Sequence, residues 1–131
     1  MALDNIILRM DNKFVGELES PTGKAPVGNQ EGGLQPYHML FGALASCFYS
    51  TFLEISKKKR LSFETAIVEV SGYKGTGKEV NLLEHVTTKL TIKNPSEEKG
   101  LIKSAELGAK FCSIYTTLSK VAEMELIVEF N

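Results

Sequence analysis

Apolar residues run unbroken from Met39 to Ala45, and the stretch around them, Gln35 to Arg60, reads as one helix. A run that is apolar on every side predicts burial all round, not a helix lying on a surface. Beyond Cys47 the pattern narrows to one face, with Phe48, Phe52 and Ile55 at spacings of four and three. Pro36 suits the first helical position, where the missing N–H has no partner to lose. The cationic run Lys57-Lys58-Lys59-Arg60 suits the C-terminal end of the helix dipole. At about 1.5 Å per residue such a helix spans roughly 40 Å, enough to cross a small protein.

Around this helix the pattern changes to alternation. Ala2 to Met10 and Lys13 to Leu18 read as strands joined at Asp11-Asn12. Ser20 to Leu34 is dense in Pro, Gly and Asn and is expected to be a loop. Glu64 to Tyr73 and Leu82 to Lys93 alternate over long stretches and flank a glycine-rich turn, which predicts a long hairpin. Asn94-Pro95-Ser96-Glu97 has the form of a helix start, with Asn94 as cap. The helix it opens places Ile102, Ala105, Ala109 and Cys112 on one stripe, and Ser113 is a candidate break before a second helical stretch. Met124, Leu126, Val128 and Phe130 form one face of a closing strand. The order ββ, long helix, ββ, helices, β predicts an α+β fold in which a sheet wraps the long helix.

With 131 residues, no linker and no internal repeat, one domain spanning 1–131 is expected. A net charge of −1 gives no electrostatic footprint for nucleic acid or an anionic membrane surface. The opening Met-Ala-Leu-Asp-Asn lacks the cationic and apolar segments of a secretory signal. No apolar run approaches the roughly 20 residues that span a bilayer. A cytoplasmic location without a membrane partner is the expectation. There, a cysteine pair is more naturally redox chemistry than a permanent staple.

Gly72 to Lys78 spells G-x-x-x-x-G-K, but Glu79 follows where a phosphate loop needs Ser or Thr for magnesium. What comes next reads as a strand, whereas phosphates need a helix N-terminus, so this is a hairpin turn. His38 and His85 are the only histidines, and no metal-ligand spacing occurs, so neither a metal nor a cofactor is expected. Cys47 and Cys112 remain. Each could be a small buried hydrophobe. Both nevertheless fall on the expected core stripes, and each is followed by aromatics and hydroxyls, Phe48-Tyr49-Ser50-Thr51 and Ser113-Ile114-Tyr115-Thr116-Thr117.

The string Gln35-Pro36-Tyr37-His38-Met39-Leu40-Phe41-Gly42-Ala43-Leu44-Ala45-Ser46-Cys47 resembles the signature of OsmC-like proteins, the osmotically inducible and organic hydroperoxide resistance group. A second matching string is Ala109 to Leu118, with Cys112 near its start. The resemblance covers nearly the whole chain. It implies an OsmC-like α+β fold, an antiparallel sheet wrapped around the central helix, in an intertwined homodimer with sites at the interface.

The activity that the resemblance implies is a thiol-dependent peroxidase. Cys47 would attack a hydroperoxide and become a sulfenic acid, Cys112 would resolve it as a disulfide, and a dithiol reductant, lipoyl-type in some members, would restore both thiols. The organic hydroperoxide group activates its first cysteine with an N-terminal Arg and a Glu at the start of the helix. Here Tyr37 and His38 stand at that early position, and Arg9 and Arg60 match no motif. His38, with Tyr37, is the candidate supporting group, and Glu31 a weaker substitute. The alternative of another class is a non-catalytic member that binds a small apolar ligand or thiol metabolite in its interfacial pocket.

Overall fold

Hydrogen bonding at short turns organises the first part of the chain. A computed structural model describes residues 1–131, and these fall into two compact units, Met1–Leu40 and Phe41–Asn131. In the first, β1 (Ile7–Met10), β2 (Val15–Ser20) and β3 (Gly23–Gly28) form an antiparallel sheet in that order. Asp11 Oδ1 accepts from the amides of Lys13 and Val15, which closes the first turn. Ser20 Oγ accepts from Thr22 and Gly23 and closes the second. The stretch expected to be loop therefore contains a strand. Its Pro26 is tolerated because β3 is an edge, where a missing N–H breaks no central ladder. At Gly28, φ is +96° and a Cβ would stand 2.0 Å from the Phe14 carbonyl oxygen, so only glycine fits.

Helix α1 (Pro36–Lys58) starts in the first unit and runs through the second. Its fully buried residues are Leu44, Phe48, Phe52 and Ser56, one stripe with a spacing of four. The all-round burial expected for Met39–Ala45 is not found within a single chain: Gly42 is exposed, and the flanking apolar residues are half-buried. By length and mean hydropathy alone α1 could cross a membrane, yet this stripe packs into the core. The helix closes in a Schellman motif. Leu61 N–H donates to the Ser56 carbonyl and Arg60 N–H to that of Lys57, with Arg60 left-handed at φ 58°.

In the second unit, β4 (Thr65–Lys74) and β5 (Leu83–Lys93) make the expected hairpin, bridged at its tip by Gly75 N–H to the Leu82 carbonyl. The Gly72–Lys78 segment is strand and turn, as its sequence context requires. After α2 (Glu98–Phe111) and α3 (Ser113–Ser119) comes β6 (Glu123–Phe130), which pairs with β5 in parallel. The expectation of a wholly antiparallel sheet is corrected here. The connection from β5 to β6 passes through two helices, and a crossover of that length returns the chain in the same direction.

The core of this unit joins Phe48 and Phe52 of α1, Leu90 and Ile92 of β5, Leu101, Ala105 and Ala109 of α2, and Cys112. Leu44, Phe48 and Phe52 of α1 share this packing with Val86, Leu90 and Ile92 of β5. On α2 the buried stripe is Leu101, Ser104, Ala105, Gly108 and Ala109, while Ile102 is exposed. Asn94 does not cap α2 either. Its φ is 52°, its side chain bonds Glu64, and the cap position is Glu97, without a side-chain cap bond. Ser96 instead makes a two-way tie to Ser62, accepting from its amide at 2.9 Å and donating its own amide to the Ser62 carbonyl at 2.8 Å.

Candidate functional site

Cys47 sits in the middle of α1 between the buried Leu44 and Phe48 and is itself half-buried. Cys112 is only 1% exposed and is the single non-helical residue between α2 and α3, with φ −81° and ψ 115°. That extended residue lets the chain turn from one helix into the next. It also makes Cys112 the N-cap of α3, where its sulfur accepts the Tyr115 amide at 3.3 Å. An N-cap residue ordinarily takes the amide three positions on, and here a thiol does so. The sequence marks Tyr115 only as one of the aromatics and hydroxyls after Cys112, not as the residue whose amide meets its sulfur. Its signal was the combination of a helix break at Ser113 with a polarisable side chain just before it.

The two sulfurs stand 2.9 Å apart, the Cys112 thiol donating to Cys47 Sγ, across 65 residues of sequence. Both are free thiols. Burial pushes the Cys112 thiol up to about 11, its bond to Cys47 adds to this, and the Tyr115 amide opposes it. The Tyr115 phenol is also raised, by burial first and then by charge on Cys112. Phe52 forms the floor of the surrounding apolar shell, with ring centroids 6.3 Å from Phe48, 6.0 Å from Tyr49 and 5.7 Å from Phe63.

The other singled-out residues have local structural duties. His38 is exposed, and its Nδ1 accepts the Gln35 amide at 3.0 Å, tying the loop to the first turn of α1. Tyr37 is exposed in that same turn. Arg9 pairs with Glu19 at 2.7 Å across β1 and β2. His85 bonds Glu125 at 3.2 Å and stacks on Tyr73. Two of the hydroxyls that follow the cysteines bond backbone, Thr51 to the Cys47 carbonyl at 3.1 Å and Thr116 to that of Lys110 at 3.2 Å, while Ser50, Ser113 and Thr117 are exposed. The first is a bond back within α1 and the second ties α3 to the end of α2; neither reaches a cysteine sulfur.

What the geometry defines is a half-buried thiol held against a buried one, on a long helix packed by a mixed sheet. The sequence matches the OsmC-like protein family over residues 28–126, and the chain belongs to that family. No curated protein sequence matches it. Among solved structures, a hypothetical protein from Aquifex aeolicus VF5 superposes with a TM-score of 0.88 at 21% identity, covering 100% of this chain and 98% of that one. An OsmC-like protein from Mycoplasma pneumoniae gives 0.87 at 17% identity, covering 98% and 97%. An organic hydroperoxide resistance protein OsmC from Legionella pneumophila gives 0.74 at 15% identity, covering 98% and 99%. At these identities the likeness is one of fold.

Proposed function

We propose that this protein is a thiol-dependent peroxidase that reduces organic hydroperoxides, with Cys47 as the peroxidatic and Cys112 as the resolving residue. The observation that carries the reading is the 2.9 Å approach of the two sulfurs. The Cys47 thiolate attacks a peroxide oxygen, the O–O bond breaks, and the alkoxide leaves and takes up a proton as the alcohol. Cys47 is then a sulfenic acid. The Cys112 sulfur attacks it, the S–O bond breaks, and water leaves with the proton that Cys112 gives up. A dithiol reductant, lipoyl-type by family resemblance, returns two electrons and two protons and restores both thiols. Names of structural neighbours such as the Legionella protein support the substrate class.

The working form in this reading is a homodimer in a reducing, cytoplasmic compartment, with the whole chain as one functional domain. Half-buried apolar faces on α1 and exposed Ile7 and Leu8 on β1 support a second copy as their cover. Consumption of an organic hydroperoxide, with a dithiol supplied, tests the activity. Wild type turns over and Cys47→Ser does not. Equal, background-level rates for the two folded, reduced proteins would sink the reading.

One observation favours a second reading. A groove of about 390 Å³ is lined by the apolar or aromatic Tyr49, Leu53, Leu61 and Phe63 together with the polar Lys57, Ser62 and Glu64. A small apolar ligand or thiol metabolite held there without turnover would make this a binding protein. Such a ligand would perturb Tyr49 and Phe63 resonances while leaving peroxide untouched.

A further inference from the structure

We propose that Cys112, apart from resolving the sulfenic acid, is the hydrogen-bond donor that holds Cys47 as a thiolate. The inference rests on Cys47 being the nucleophile of the proposed reaction. It starts from a relay of donors: the Tyr115 amide donates to Cys112 Sγ at 3.3 Å, and Cys112 Sγ donates to Cys47 Sγ at 2.9 Å. A thiolate needs a positive charge or a donor beside it, and mid-helix it gains nothing from the dipole, which fades within the first turn. Besides burial, the groups acting on Cys112 are Cys47 and the Tyr115 and Ile114 amides, with the Tyr115 phenol facing it; no arginine, lysine, histidine or carboxylate is among them. The donor to Cys47 Sγ is the Cys112 thiol.

Chemistry assigns the direction of the proton. A hydrogen bond to an ionised acceptor is about twice as strong as a neutral one, so the Cys112 S–H bond strengthens when Cys47 loses its proton. The amide on the far side of Cys112 polarises it and makes its S–H the better donor, the cooperative effect of a hydrogen-bond chain. Cys112 keeps its proton at neutral pH because it is buried. The pair thus carries one shared proton, held on the buried sulfur and presented to the half-exposed one.

The test separates this role from resolution. Cys112→Ser and Cys112→Ala both abolish disulfide formation, but only serine retains a donor. Alkylation of Cys47 by iodoacetamide at neutral pH, located by peptide mass spectrometry, needs no peroxide. Cys112→Ala is expected to react about tenfold more slowly than wild type, the scale of a lost hydrogen bond to a charged group. Cys112→Ser should recover most of that rate. An alanine variant as fast as wild type, or a serine variant as slow as alanine, overturns the proposal. Because alanine also removes the α3 cap, a second measurement uses the unaltered protein with 13C at the cysteine Cβ positions. On raising the pH the Cys47 resonance should move first and the Cys112 resonance only later; the reverse order overturns the proposal. Slow alkylation in the alanine variant without peroxide turnover by wild type would sink the peroxidase reading and leave this one standing. Cys47-dependent turnover with unchanged alkylation would do the opposite.

Discussion

Gly108 on α2 lies against Phe52 on α1 so closely that a Cβ at position 108 would stand 3.1 Å from the Phe52 Cα. The crowding atoms include backbone, which cannot rotate away. This contact sets how near the two helices approach, and each carries or adjoins one of the thiols. Gly108→Val is expected to cost about 1–3 kcal/mol through overpacking. Urea denaturation of the reduced protein checks it, and an unchanged midpoint would show that the helices can separate freely.

Ser104, one turn earlier on α2, is fully buried, and its hydroxyl has no hydrogen-bond partner. Such a group gives up its water without replacement, and alanine is also the better helix former. Ser104→Ala should stabilise the fold by about 1 kcal/mol. The expected readout is a higher urea midpoint at unchanged slope; destabilisation would mean that the hydroxyl has a partner.

Arg60 closes α1 in the left-handed conformation that a side chain pays to adopt. Glycine removes that cost while both Schellman bonds, which use only backbone, remain. Arg60→Gly is expected to gain about 0.5–1 kcal/mol after the larger entropy of the unfolded chain is counted. A thermal melt that drops would contradict the assignment of Arg60 as a helix terminator.

Stability should also depend on pH through Cys112. Burial, and then its bond to Cys47, raises the folded-state thiol from the ordinary 9.0 to about 11. The folded protein therefore holds this proton more tightly than the unfolded chain does. Its contribution is complete below the ordinary value and is lost as the pH climbs through about 11. The loss is on the order of 2 kcal/mol, and the raised Tyr115 phenol adds to it in the same direction. Reduced wild type should weaken over that alkaline window, and Cys112→Ser should flatten the curve. Parallel curves would remove Cys112 as the cause.

The features legible in the sequence were those written locally. The central helix, expected over 35–60, spans Pro36–Lys58, and the β4–β5 hairpin and closing strand appear where alternation placed them. β3 was not legible because its glycines and proline are turn signals, and only pairing with β2 makes it a strand. Ile102 was placed on the core stripe of α2 and Leu101 was not, since the stripe's phase depends on which neighbour the helix meets. The serines and threonines after each cysteine suggest chemistry, but Thr51 bonds a carbonyl of its own helix, Thr116 bonds one on α2, and Ser50, Ser113 and Thr117 face solvent.

The sequence by itself determined the helix, the hairpin and the family, because periodicity and short motifs are properties of neighbouring residues. Only the tertiary structure decided that β6 joins β5 in parallel, that Cys112 caps α3, and that its sulfur meets Cys47 across 65 residues. Those depend on how helices and sheet pack, and the packing is set by contacts such as Gly108 on Phe52 whose partners lie far apart in the chain.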